Sequence, residues 1–448
     1  MSLSPKDCAK RLSEANFCQT YGKVTRVVGL VAEGSGLNAP LGAVCHIVPE
    51  NGGEPIAAEV AGFKDGNLLF MPYEDLRGVA PGDLIRNSSL PPVFPVGEHL
   101  LGNAFDPFGL PLDAAPGSHA PMTAKDQPLY APPPNPLSRP RISEPLDVGV
   151  RAINALLTLG KGQRIGIMAG SGVGKSTLLG MMARYTKADI NVIGLVGERG
   201  REVREFIEKD LGPEGMSRSV LVVATSDASP LVRMRAAYAA TAVAEYFRDQ
   251  GKDVLLMMDS VTRFAMAARE VGLAIGEPPT TKGYTPSVFA ELPKLLERAG
   301  RSEAGTITGI YTVLVDGDDF NEPIADSVRS ILDGHMVLTR ELADQAHYPC
   351  IDVLKSISRI KPDVCSKEDL MAGREMLRDI AAYNRMEDMI NIGAYLQGSN
   401  PEVDRAIALR PAINKFLRQP VEEGCSLEDS FAQMHAVLAE GLEKNEQG

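Results

Sequence analysis

Several absences narrow the possibilities first. No run of about 20 apolar residues, the length a membrane-spanning helix requires, occurs in the sequence. The amino-terminal stretch MSLSPKDCAKRLSEANF lacks a long apolar core, so a soluble protein is expected. The six cysteines (Cys8, Cys18, Cys45, Cys350, Cys365, Cys425) show neither a CxxC pair nor metal-ligand spacing. That excludes a sequence-encoded metal knuckle and fits reduced thiols acting as small buried hydrophobes in a cytosolic protein. Positive charge is scarce: 46 Lys and Arg against 58 Asp and Glu give a net charge of −12. No basic tail is hidden at the carboxyl end, where residues 361–448 hold 10 basic and 16 acidic side chains. A field of this sign repels polyanions and anionic headgroups, which makes nucleic acid a disfavoured partner. No internal repeat of 20–50 residues is present, which argues against a solenoid or propeller.

What remains is globular. Hydrophobic residues make up 44% and charged residues 23% of 448 positions, a length suited to roughly two to four domains. Ser4, Pro5 and Asp7 mark a helix start, and Cys8, Leu12 and Ala15 share one face, so residues 1–20 should open the chain as a short amphipathic helix. Residues 21–90 carry short apolar runs (VTRVVGLV, AVCHIV, AAEVAGF, NLLFMPY) broken by Gly, Asn and Pro, the punctuation of a small antiparallel barrel or sandwich. Prolines crowd residues 91–145 and indicate an extended connector. From 146 to 360, strand-like runs (RIGIMAG, INVIGLVGE, SVLVVATS, DVLLMMDS, TITGIYTVLVD) alternate with helical ones, the pattern of a parallel sheet covered by helices. Residues 361–448 keep helical period, so a helical carboxyl-terminal domain is expected.

The α/β region contains AGSGVGKST at residues 169–177, between a predicted strand and a predicted helix. This is the context of a P-loop: Gly170, Gly172 and Gly174 let backbone N–H groups converge on phosphate oxygens, with Ser171 and Val173 between them and Thr177 following. Lys175 should reach the β- and γ-phosphates of ATP, and the Ser176 hydroxyl should bind Mg²⁺. Ala169 stands where the pattern usually has glycine. A P-loop also needs an acid at the end of a neighbouring buried strand to hold the water shell of Mg²⁺, and VLLMMDS supplies Asp259. GLVGERGREV ends a further strand in Glu198, where a carboxylate could polarise the water that attacks the γ-phosphorus or could simply cap the following helix.

Taken in order, GERGREV, MDSVTRFA, GEPPTTKGYTPSVFAELPKLLERAGR, ILDGH and HYPCIDVLKSISR resemble the hexameric ATPases related to rotary ATP synthases, and within them the protein-export ATPases of flagellar and virulence type III secretion systems. The resemblance runs from about Tyr21 onward and implies a RecA-like P-loop NTPase core. It further implies that Glu198 is the catalytic carboxylate, that Arg199 and Arg263 order the γ-phosphate region, and that Tyr348 stacks on adenine. Arg359 would be an arginine finger reaching into the neighbouring subunit's nucleotide. Since one chain carries both Glu198 and Arg359, a homohexameric ring is the simplest closed assembly.

Partners follow from the same likeness. They are a stator-like regulatory protein on the amino-terminal helix, a central stalk near Asp316–Asn321, and an export gate with its chaperones and unfolded substrates. The Pro- and Gly-rich stretch bearing Lys282 and Tyr284 would face the ring's centre. The expected location is the cytoplasm, peripheral to the inner face of the inner membrane. Against a rotary synthase subunit stands the lack of a strongly acidic loop in the helical end. Against an RNA translocase stands the lack of a basic and aromatic cluster in residues 21–90.

Overall fold

The computed structural model describes residues 20–88, 92–113, 124–315 and 322–446. The expected amino-terminal helix, Cys8, Cys18 and the acidic stretch Asp316–Asn321 lie outside them. Two compact units divide the chain: Met1–Pro92 with Glu270–Pro278, and the remainder.

In the first unit the punctuated apolar runs become six strands, β1 (Tyr21–Val28), β2 (Val31–Ser35), β3 (Val44–Val48), β4 (Ile56–Lys64), β5 (Asn67–Pro72) and β6 (Leu84–Asn87). They close into an antiparallel barrel in the order β1-β2-β5-β4-β3-β6, with β6 returning to β1. Closure settles the choice between sandwich and barrel, and it removes exposed edges. Side chains alternate as a pleat requires: Cys45 and Ile47 of β3 are fully buried, whereas Val44, His46 and Val48 are half-exposed. The interior is filled by Val24, Ala32, Ile47, Val60, Phe70 and Ile85. Gly34 is required there, because a Cβ at that position would stand 2.3 Å from Ile85 Cδ1.

The second unit begins with β7 (Val93–Val96), β8 (Asn103–Phe105), β9 (Lys125–Pro128), β10 (Pro145–Leu146) and β11 (Leu159–Gly160). Then come β12 (Arg164–Ala169), β13 (Ile190–Glu198), β14 (Ser219–Thr225), β15 (Asp253–Asp259), β16 (Gly300–Arg301), β17 (Thr306–Leu314), β18 (Gly334–Leu338) and β19 (Ile351–Ser358). The main sheet runs β19-β18-β12-β17-β15-β13-β14-β8, with β16 pairing β17. All its pairings are parallel except β18 with β19 and β16 with β17. The five strand runs read from the sequence are β12, β13, β14, β15 and β17. Helices Lys367–Asn391, Pro401–Leu417 and Leu427–Glu446 follow, and their Met376, Ile380, Ile413, Phe416 and Met434 join the same apolar cluster as Ile167 and Leu178.

The proline-rich connector departs from the expectation of a simple extended link. β8 extends the main sheet beside β14, and β7 pairs with β9 in a two-stranded ribbon that carries Pro95 and Pro128. Proline is tolerated in such a ribbon because edge positions need no ladder donor. Proline-rich backbone has carbonyls but few N–H groups, and buried arginines of the core supply the donors. Arg235 donates to Pro107 O at 3.0 Å and Val93 O at 2.8 Å. Arg298, fully buried, donates to Leu129 O at 2.5 Å and makes a two-point contact with Glu245 at 2.9 and 2.5 Å. Removing one partner of a buried pair strands the other charge, at a cost of about 3–5 kcal/mol. Arg298→Met is therefore expected to lower the unfolding free energy by that order in denaturant titration, and adding Glu245→Leu is expected to return part of the loss.

Candidate active site

β12 is buried along most of its length, with Ile165, Ile167 and Met168 at 0% exposure. It delivers the chain to a loop in which Gly172 (φ 77°) and Gly174 (φ 82°) adopt the left-handed conformation that glycine permits. Gly174 caps the helix Lys175–Tyr185, whose first N–H groups and positive dipole end therefore face the loop. Ser171, Gly172 and Ser176 are exposed, Gly170, Lys175 and Thr177 half-buried, and Val173 buried. That helix is pressed onto a π-helical turn, Phe206–Leu211: a Cβ on Gly180 would meet Asp210 O at 2.6 Å. Thr177 hydrogen-bonds the Asp210 carboxyl, whose pKa burial pushes up.

The start of the helix after β12 and the ends of the adjacent strands β15 and β13 bring the predicted charged residues together. Lys175 Nζ donates to Asp259 Oδ1, at the tip of β15, and lies 3.7 Å from Glu198 Oε1, at the tip of β13. Side-chain exposures of 12%, 14% and 5% for Lys175, Glu198 and Asp259 leave little water to screen them. From β17, which lies between β12 and β15, the Thr312 hydroxyl donates to Asp259 Oδ1 at 2.7 Å and fixes its orientation. Burial, reinforced by the Asp259 charge, raises the Glu198 pKa to about 7 against the opposing pull of Lys175. Arg263 packs its stem under the backbone of Gly197, and its Nε is buried without a hydrogen-bond partner among the described residues. Arg199 stands apart, 72% exposed and paired with Glu202 at 3.3 Å.

Beside the loop, Tyr348 projects from the segment before β19, 3.7 Å from where a Gly174 Cβ would be. It borders a cavity of about 220 Å³ lined chiefly by Val173, Leu178, Met181, Leu338, Pro349 and Val421. Size and apolar lining suit a nucleobase. The carboxyl-terminal helices contribute here in a way the periodicity does not reveal. Gln419, between two of them, donates its backbone N–H to Tyr348 O at 3.0 Å and ties its side chain to Gly149 O and the Arg151 N–H.

Arg359 is exposed and lies at the far end of the strands from the phosphate loop. Leu338 pairs with Ala169 and Ile351, whereas Arg359 N–H bonds Asp333 O and Asp333 N–H bonds Arg164 O. Arg359 is thus level with the start of β12, five residues or about 16 Å along the strand from Ala169 and two strands to the side. Its own chain's phosphate loop is out of reach.

Among the described residues no three His, Cys, Asp or Glu side chains gather as a metal-holding group. The Ser176 hydroxyl and Asp259 carboxylate are hard oxygen donors, a set that fits Mg²⁺ carried largely by phosphates and water. No helix among the described residues is long and apolar enough to cross a membrane. Cys45, Cys350 and Cys425 are buried and Cys365 partly so, all as free thiols.

Comparison with known proteins agrees along the chain. Residues 149–358 match the ATP synthase alpha/beta family, nucleotide-binding domain, and residues 365–436 match the T3SS EscN ATPase C-terminal domain. A flagellum-specific ATP synthase of Bacillus subtilis is 55% identical over 93% of this chain and 95% of its own. A type 3 secretion system ATPase of Xanthomonas euvesicatoria is 48% identical over 93% and 94%. The assembled ATPase EscN of the enteropathogenic E. coli type III secretion system superposes with a TM-score of 0.87 at 47% identity, covering 93% of this chain and 100% of that one. With a barrel, a phosphate loop backed by two carboxylates, and kinship over nearly its whole length, the chain belongs to the family of flagellum-specific ATP synthases and type III secretion ATPases.

Proposed function

We propose that the chain hydrolyses MgATP to energise type III protein export, in its flagellar form. The observation that carries this reading is the gathering of Lys175, at the start of the helix after the phosphate loop, with Glu198 and Asp259 on two adjacent strand ends. Backbone N–H groups of Gly170–Thr177 hold the phosphates, Lys175 balances charge on the β- and γ-phosphoryl oxygens, and the base enters the apolar cavity under Tyr348. Ser176 directly, and Asp259 through water, would hold Mg²⁺, which when bound neutralises charge building on the phosphoryl oxygens. The Glu198 carboxylate orients the attacking water and accepts its proton; a pKa near 7 makes it a stronger base than an ordinary glutamate while leaving it largely ionised above neutrality. Arg263, beside Glu198 with a donor to spare, orders the γ-phosphate, and Arg199 turns inward only if its surface contact with Glu202 is released.

Arg359 completes a neighbour's site, which supports a homohexamer. Two solved relatives are described as the assembled EscN and as EscN in complex with its central stalk EscO. By that likeness the ring takes a central stalk near Asp316–Asn321. It binds a stator-like regulator through residues 1–20, and serves chaperones and export substrates at a membrane gate from the cytoplasmic side. The flagellar form is supported by the 55% identity to the flagellum-specific relative of Bacillus subtilis, against 46–52% to the type III secretion ATPases. Because each site borrows a finger, specific MgATP hydrolysis is expected to fall steeply as the protein is diluted below its assembly range. Constant specific activity in a monodisperse monomer would refute the reading.

A further inference from the structure

We infer that Arg340 is a positioning residue of the phosphate loop, which it serves by fixing one peptide plane. This rests on the reading of the loop as a nucleotide site. Arg340 begins the short helix Arg340–Asp344 immediately after β18, and its Nη2 donates to the backbone carbonyl of Ser171 at 2.8 Å. The residues are 169 positions apart, and the arginine is exposed. No ion pair to a carboxylate is recorded for it among the described residues, so its charge is directed at the loop.

The Ser171 carbonyl and the Gly172 N–H belong to one planar trans peptide and point in opposite directions. Fixing the carbonyl therefore also fixes the direction of the Gly172 N–H, one of the donors the loop offers to phosphate oxygens. Among the described residues no other hydrogen bond holds this peptide plane. Gly172 has φ 77°, and a Cβ built on it would meet no atom within 4 Å. A glycine with open space on that side can accept either orientation of the preceding peptide at little steric cost. A guanidinium on the carbonyl is a charge-assisted contact, stronger than a neutral hydrogen bond, and it also polarises the N–H at the other end of the plane. In the loop without phosphate, Arg340 holds the cradle in its binding form; once phosphate is bound, the anion holds it as well.

That order of events defines the test. Arg340→Gln, Arg340→Lys and wild type are compared for MgADP affinity by calorimetry and for KM and kcat with MgATP, with Lys175→Ala as the control that abolishes phosphate binding. The expected result for Arg340→Gln is a weakening of MgADP affinity by about tenfold, or 1.4 kcal/mol. KM for MgATP rises in parallel, and kcat at saturation changes less than twofold. Arg340→Lys, which keeps a cationic donor, recovers part of the affinity. Unchanged affinity for both nucleotides in Arg340→Gln would overturn the inference. So would a loss confined to MgATP, which would mean that Arg340 touches the γ-phosphate itself, and so would a drop in kcat with KM unchanged. A wild-type protein that binds no nucleotide would instead defeat the site assignment beneath it, and thermal melting of each variant identifies a change that acts only by unfolding.

Discussion

Arg359→Ala is expected to reduce turnover at saturating MgATP by about 10³–10⁵-fold while KM changes little. The range is that of arginine fingers, whose charge meets negative charge that develops only in the transition state. A group absent from the ground-state contacts lowers kcat and kcat/KM together. The strand register carries the rest of the expectation. Arg359 sits at the opposite end of β19 from the residues that flank the phosphate loop, so removing it leaves Lys175, Glu198, Asp259 and the base cavity of the same chain untouched. Nucleotide affinity should therefore survive. Arg359→Lys should recover only a small fraction of the rate, because an ammonium lacks the planar fork that contacts two oxygens at once. An alanine variant within threefold of wild type, measured in assembled rings by steady-state phosphate release, would remove Arg359 from the mechanism.

Glu198→Gln carries the second large effect, a fall in kcat of about 10²–10⁴-fold, the usual contribution of a positioned general base. The amide keeps the shape and hydrogen-bond reach of the side chain but cannot take a proton, so MgATP should still bind. Wild-type kcat/KM should rise with pH through an apparent pKa near 7, since Glu198 must be ionised to act and its pKa is raised to about 7. The variant's residual activity should lack that inflection. Stability should move the other way. A carboxyl whose folded-state pKa is raised contributes stability that is fully present below its ordinary value of 4.5 and is lost as pH rises through about 7. At pH 8, Glu198→Gln is thus expected to melt at a higher temperature than wild type, and a lower melting temperature would mean that Glu198 is held mainly by its attraction to Lys175.

Much of this site is legible in the sequence because local pattern and chemistry coincide. AGSGVGKST announces its own geometry, and Asp259 and Glu198 end apolar runs long enough to read as buried strands. Those runs are β12, β13 and β15; the sheet pairs β13 with β15 and sets β17 between β15 and β12. Other contributors have no local signature. β18 has only five residues, and β19, the antiparallel edge, interrupts its apolar residues with Asp352, Lys355 and Ser356 and exposes Leu354 and Ile357. Thr312 orients Asp259 from inside a run of nine strand residues, where a threonine reads as one more β-branched side chain. Gln419 reaches the base cavity from 268 positions beyond Arg151, and Arg340 reaches Ser171 across 169. Such contacts are set by tertiary packing, which neither periodicity nor turn chemistry encodes. The same holds for the connector, where the prolines are conspicuous but the arginines that bind their carbonyls are scattered from Arg139 to Arg298.

The claim on which the account depends is that each active site is shared between two chains, and mixing two inactive variants tests it most directly. Arg359→Ala protein retains its phosphate loop and Lys175→Ala protein retains its finger. When the two are dissociated from their rings by dilution, combined in equal amounts and reassembled at high concentration, random assortment places an intact loop beside an intact finger at about one quarter of the interfaces. MgATP hydrolysis should then recover to about that fraction of wild type, although each parent alone is nearly silent. A mixture as inactive as its parents, in rings shown to contain both chains, would mean that Lys175 and Arg359 act within a single chain and would contradict the account.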